Sequence, residues 1–216
     1  MIHVQSLAAL TGKILETWLR DPDRYRHHGI GVLQGYVLES SPPEAEYRIH
    51  VWHPKLRLPE MDDSGLIHDH RFNLESTVIF GKVIHTVYEL DPTERGVYQA
   101  WSVENARSAE QNVGKRVGWV QLLDPTRFNI TPITFRYHTG ESYVFPKRCF
   151  HRTDVDGLSI TICRKLDQEE TSARILARHG KEPRHGFAHD AREHAVIQRG
   201  ILTDAIQALR GIARAA

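Results

Sequence analysis

GLIHDHRFNLESTVIFG, running from Gly65 to Gly81, sets His68 and His70 on either side of Asp69 and follows them with Glu75. In an extended strand, residues i and i+2 share a face. The two imidazoles then point one way with Leu66 and Phe72, while Ile67, Asp69 and Arg71 point the other. If the chain doubles back near Phe72–Leu74, Glu75 converges on the imidazoles, and Gly81 supplies the turn into the next strand. That is a metal site in outline. A bland reading competes with it, because the chain carries 14 histidines in 216 residues and roughly one H-x-H arises by chance at that frequency.

A second stretch, GESYVFPKRCFHRTDVDG, runs from Gly140 to Gly157. Gly140 leads a short strand, Pro146 precedes His151 by five positions, and DVDG reads as the turn of a hairpin into LSITICRKL. His151 is therefore a third imidazole, on a strand far from the first two in sequence.

Together the two stretches resemble the paired signature motifs of the cupin superfamily. The first of those motifs is Gly, five residues, H-x-H, three or four residues, Glu, six residues, Gly. The second is Gly, five residues, P-x-G, two residues, His, three residues, Asn. His68, His70 and Glu75 match the first, and Gly140, Pro146 and His151 match the second. By that resemblance, His68, His70, Glu75 and His151 bind one divalent metal ion inside a small jelly-roll β-barrel.

The departures fall at turn and support positions. Asp62 stands in the first glycine's place, Gly81 comes one residue early, Arg148 replaces the glycine before His151, and Val155 replaces the closing asparagine. Altered loops around a retained site are the expectation. YRIHVWHPKLRLPEMDDSGLIHDH, residues 47–70, is further similar to the cysteine dioxygenase branch, where a strand ending in tryptophan precedes an S-I-H-D-H-like motif. That branch holds iron through three histidines and lacks the glutamate. This chain keeps Glu75 and has no match to the branch's S-H-x-Y signature after LSITICRKL. Glu75 thus stays open between a place in the metal shell and one just outside it.

Outward from these motifs, residues 30–166 alternate short runs rich in Val, Ile, Thr, Tyr and Phe with turn signals. The runs are VLQGYVL, YRIHVWH, LIHDHRF, STVIF, KVIHTVYEL, VYQAWSV, GWVQLL, ITFRYH, ESYVFP and LSITICRKL, separated by SSPP, GK, DPTERG, DPTRFN, HTGE and DVDG. Strands without intervening helices predict a mainly β fold, a cupin-type jelly-roll barrel over 30–166. Residues 5 to 26 read as an N-terminal helix, with Leu7, Leu10, Ile14, Trp18 and Leu19 at helical spacing, broken by Asp21-Pro22. We therefore place a helical segment at 1–28 and a helical extension at 167–216, all within one domain. The extension reads as a short helix over 168–180 ended by Gly180, a loop over 181–190, and a long amphipathic helix over 191–216 interrupted at Gly200.

Composition narrows the function classes. With 28 basic against 27 acidic residues, no global field draws the chain to nucleic acid or an anionic membrane. No apolar run reaches the roughly 18–20 residues of a bilayer span. The first residues lack the basic leader of a signal peptide, and Cys149 and Cys163 are expected to be free thiols in a cytoplasmic protein. Whether the last helix packs on the barrel or joins a homodimer is open.

Three neutral imidazoles with one carboxylate suit iron, manganese, nickel, zinc or copper. The leading expectation is an Fe(II) dioxygenase that oxidises a small polar substrate of the thiol or amino-acid class with dioxygen. The alternatives are a redox-neutral isomerase, decarboxylase or lyase, and a non-catalytic small-ligand-binding cupin. Arg48, which shares a strand face with His50 and Trp52, is the first candidate for a carboxylate clamp, and Arg164 the second. Tyr143 and Cys149 are further candidates for the pocket, with Cys149 equally readable as an inert buried thiol. Asp69 reads as structural and Arg71 as a solvated charge. The facing of His85, Tyr88 and Tyr137 is open, and His185, His189 and His194 read as a polar loop and helix start.

Overall fold

The computed structural model describes residues 4–37, 47–57, 66–104, 119–183 and 194–215. Helix α1 (Val4–Arg20) is followed by a 3-10 turn (Pro22–Arg24) and by β1 (Tyr25–His28), β2 (Ile30–Tyr36), β3 (Tyr47–Arg57), β4 (Asn73–Phe80) and β5 (Lys82–Pro92). Then come β6 (Tyr98–Glu104), β7 (Trp119–His138), β8 (Ser142–Phe145), β9 (His151–Asp154), β10 (Ser159–Leu166), β11 (Ala173–Arg178) and α2 (Ala195–Arg214). The strands form two antiparallel sheets, ordered β1-β2-β3-β10-β4-β8 and β11-β6-β7-β5-β9. After β7 the chain alternates between them, with β8 and β10 in the first and β9 and β11 in the second. This is the double-sheet jelly-roll arrangement expected from the run of short strands. No helix among the described residues is long and apolar enough to cross a membrane.

Strand alternation gives the first sheet two apolar faces. Leu33, Ile49, Val51, Ile79 and Ile160 face the helices, where they meet Leu15 and Trp18 of α1 and Ile201, Leu202, Ala205 and Leu209 of α2. Val32, Trp52, Leu74, Val78, Tyr143, Phe145 and Cys163 face the barrel interior. A strand with both faces covered reads as a nearly continuous apolar run, as in STVIF. The buried stripe of α1 is Ala8, Thr11, Leu15 and Trp18, so Leu10, expected on it, is 47% exposed. Gly35 lets β2 pass beneath Trp18, because a methyl group there would overlap the indole ring. α2 docks through Gln198, whose amide bonds His27 Nδ1 (3.2 Å) and accepts from Tyr25 Oη (3.0 Å).

Several elements differ from expectation. The helix expected over 168–180 is instead β11, paired along its whole length with β6. Ile175, Leu176 and Ala177 are buried there, and tertiary pairing outweighs the helix propensity of a short segment. α2 runs through Gly200 without interruption. DPTRFN is not a turn but the middle of β7, where Leu122 opposes Trp101 and Arg127 opposes Gln99. The extra residues on β7, Asp124-Pro125 among them, bulge opposite Ala100, which is how a proline is tolerated inside a sheet. DVDG leads from β9 in one sheet to β10 in the other, so the two strands are not a hairpin. β1 and β11 carry the sheets past both ends of the 30–166 segment. His185 and His189 lie outside the described residues.

Candidate metal centre

LIHDHRF is not a regular strand. His68 alone makes isolated bridges, to His151 of β9 and to Ile175 of β11. Those are the two edge strands of the second sheet, so the segment lies between them. Hydrogen bonds run both ways between His68 and His151 (His68 N to His151 O, 3.0 Å; His151 N to His68 O, 2.9 Å). On the other side, Leu176 N donates to Ile67 O (2.9 Å) and Asp69 N to Arg174 O (2.9 Å). Ile67 and Phe150, on the far face, pack with Leu176 in a separate apolar cluster.

On the near face the imidazoles converge. The ligand-capable atoms of His68, His70 and His151 all lie within 4.8 Å of one another. Their ring centroids form a near-equilateral triangle, with sides of 5.1, 4.7 and 4.8 Å. His68 Nδ1 bonds Leu66 O (3.1 Å), and His151 Nδ1 bonds Cys149 O (3.0 Å). A carbonyl only accepts, so each Nδ1 carries the proton and each Nε2 keeps its lone pair for a metal. His70 stacks on Phe72 (4.9 Å) and His151 on Phe145 (4.4 Å), while His70 Nδ1 is buried with no hydrogen-bond partner among the described residues.

Burial holds all three imidazoles below their usual pKa. His70 and His151 lie well below it, with their histidine neighbours as the next cause. Neutral, preoriented imidazoles with an orphaned ring nitrogen among them fit a divalent transition metal.

Glu75 is not brought to this set. It is exposed on β4, while its neighbours Leu74 and Ser76 are buried on the barrel side. β4 begins at Asn73 in a register that turns Glu75 outward opposite Arg164. Arg164 is likewise on the outer face, over the Tyr47 ring at 5.9 Å, and does not line the interior. The four-ligand expectation reduces to three imidazoles.

Other candidates do face inward. Tyr36, Arg48, Cys163, Ser76 and Tyr143 stand opposite one another across five strands of the first sheet. Arg48 donates to Tyr36 Oη (3.0 Å), and its charge adds to the burial that lowers the His50 pKa. Burial pushes the Tyr143 phenol up, against a hydrogen bond with Ser76 that lowers it. Cys149 sits in the turn before β9, a half-buried thiol raised by burial and by Asp69; Cys163 is a buried thiol, and neither is in a disulfide.

Sequence reasoning named His50 only as a neighbour and Cys163 only as a free thiol, and passed over His28 and Lys165. His28 and His50 are pushed down to about 3 by burial, and Cys163 Sγ lies 3.7 Å from His50 Nε2. Their signal was strand parity with Trp52 and Val32. His85 also faces inward, and His194 takes the N-cap position of α2 with its ring edge-on to that of His27.

The outer support is ionic. Asp69, fully buried, accepts from Arg174 N and Nε, both at 2.6 Å, with Arg148 Nη1 at 3.7 Å. Arg148 adopts φ +66, the left-handed conformation that favours the glycine found in the family motif. The strain, about 1–2 kcal/mol, is offset by its bonds to Glu169 Oε2 (3.0 Å) and Ser172 O (2.7 Å).

Two motifs far apart in sequence thus deliver three imidazoles to one point inside a double-sheet jelly roll. The fold is the double-sheet jelly roll that the resemblance to the cupins implies. No family model and no curated protein matches the sequence. Among solved structures, a hydroquinone 1,2-dioxygenase, PnpCD, in complex with Cd2+ and 4-hydroxybenzonitrile is similar at 10% identity and TM-score 0.32, over 61% of this chain and 62% of that one. KdgF from Halomonas sp. is similar at 14% identity and TM-score 0.27, over 63% and 82%. The hydroquinone 1,2-dioxygenase from Sphingomonas sp. TTNP3, with 4-hydroxybenzoate bound, is similar at 9% identity and TM-score 0.28, over 61% and 70%. The chain spans less than two thirds of the first of these. Likenesses this distant carry no argument, and the jelly-roll assignment rests on the strand order.

Proposed function

We propose that this cupin is a metal-dependent enzyme, an Fe(II) dioxygenase acting on a small polar substrate of the thiol or amino-acid class. The observation that carries the reading is the triad of converging imidazoles, each with its pKa lowered by burial and two of them with Nδ1 tied to a backbone carbonyl. Iron held by such a set would supply Lewis acidity and one-electron chemistry toward dioxygen.

The chain's own residues would do the rest. His68, His70 and His151 bring no negative charge, which favours an anionic substrate in the remaining positions. Arg48, on the interior face of β3, would hold a carboxylate. Tyr143 and Ser76 would add uncharged hydrogen bonds, and Phe72, Phe145 and Trp52 would keep the chamber poor in water.

The test is anaerobic purification with metal analysis, followed by dioxygen uptake across a panel of small thiols and amino acids. Iron at one equivalent and substrate-dependent oxygen consumption are expected. Turnover that is undiminished without oxygen, or with zinc alone, would refute the dioxygenase reading and leave a redox-neutral metalloenzyme.

A further inference from the structure

His85 is a buried polar group of the barrel interior with no part in the proposed reaction. It lies on β5, opposite Thr153 of β9 and Phe135 of β7, and is 2% exposed. Its Nδ1 and Thr153 Oγ1 share a hydrogen bond of 3.0 Å. Its Nε2 is buried and has no hydrogen-bond partner among the described residues. An unmet polar atom inside a core costs free energy and calls for an explanation.

The surroundings supply one. The ring packs against Tyr143 (4.5 Å) and Phe145 (4.6 Å), with its centroid 6.5 Å from that of His151. Centroids within the triad are 4.7 to 5.1 Å apart, so His85 stands back from the shared point, and it is not part of the ligand cluster. The gap suits one small ligand group between the imidazole and the centre. Burial pushes the His85 pKa down to about 3, so it offers an uncharged hydrogen bond.

We propose that His85 is a ligand-positioning residue whose Nε2 hydrogen-bonds a small oxygen- or nitrogen-containing anion bound at the His68–His70–His151 centre. This rests on the metal reading of the triad, and the test separates the two. The full-length protein is loaded with cobalt(II), its cobalt affinity is measured by chelator competition, and azide is titrated by visible absorption.

His85→Phe keeps the ring packing. It should leave cobalt affinity unchanged and weaken azide about tenfold, the worth of one hydrogen bond. His85→Gln, whose amide reaches the Nε2 position, should restore most of the loss. If the Phe variant does not fold, His85→Asn, too short to reach, makes the same comparison. Azide binding within about twofold of wild type in the Phe or Asn variant, on the same scale, overturns the inference and leaves the metal reading standing. Loss of cobalt and azide together also overturns it, by making His85 a support of the metal itself. A wild-type protein that takes up no cobalt removes both.

Discussion

Acidification should destabilise the metal-free protein well above the carboxylate range. His28, His50 and His85 have folded-state pKa values pushed down to about 3, in each case chiefly by burial, against about 6.5 in an unfolded chain. Between those values the unfolded state binds protons that the folded state refuses. Stability is therefore full above pH 6.5 and falls as pH drops through it, down to about 3. At pH 5.5 each group costs about 1.4 kcal/mol relative to high pH, and the three together about 4 kcal/mol. His68, His70 and His151, also held low, add to the loss with the same sign. Asp156 and Glu169, lowered by their lysine and arginine partners, lose their contribution only in the carboxylate range and do not blur the window. The assay is urea unfolding of chelator-treated protein at pH 7.5 and 5.5. With a slope of about 2 kcal/mol per M, the midpoint should fall by about 2 M. A midpoint that stays level or rises would mean that the imidazoles are hydrated or paired, and the account of a dry, uncharged chamber would be wrong.

Alanine at His68, His70 or His151 should abolish retention of one equivalent of metal while far-UV circular dichroism stays that of the wild type; normal metal content in any variant removes that residue from the ligand set. Asp69→Asn should cost about 2 kcal/mol in chemical unfolding, from charge-assisted bonds to a partly solvated Arg174, and should also weaken cobalt binding by loosening the segment between His68 and His70. An unchanged midpoint would show that the Asp69–Arg174 pair contributes nothing net. Gly35→Ala, which sets a methyl group against the Trp18 ring and 2.7 Å from Arg24 O, should cost about 1–3 kcal/mol through overpacking, read as a lowered Tm; a Tm at the wild-type value would place Trp18 elsewhere.

The three imidazoles were legible because spacing carries them: His68 and His70 need only strand alternation, and His151 falls at a fixed interval from Gly140 and Pro146. Glu75 was not legible, because its side depends on where the chain turns after Phe72. A one-residue shift in that turn reverses every side chain of β4, and pairing with β10 and β8 sets the register that buries Leu74 and Ser76. Arg164 fails for the same reason, one residue out of phase with Cys163. β11 was hidden in a stretch too short for periodicity to separate helix from strand. Its partners, β6 and Asp69, lie 70 or more residues away in sequence. The interior wall of Arg48, His50, Cys163 and Tyr143 exists only once β3, β10, β4 and β8 are aligned, and no local pattern contains that alignment.

The segment 66–70 explains why a substituted turn does not cost the site. Held by backbone bonds to β9 on one side and to β11 on the other, it presents His68 and His70 to the barrel while Ile67 is sealed in the cluster with Phe150 and Leu176. Asp69, between the two histidines, fixes Arg174 and draws in Arg148, so the turn before His151 is tied to the same carboxylate as the first motif. A glycine in place of Arg148 would relieve the left-handed backbone but lose that tie and the bonds to Glu169 and Ser172. The arginine accepts local strain and in return couples the two halves of the triad through a buried charge. The geometry of the three imidazoles is therefore set from behind, by the face of each segment that never meets the barrel interior.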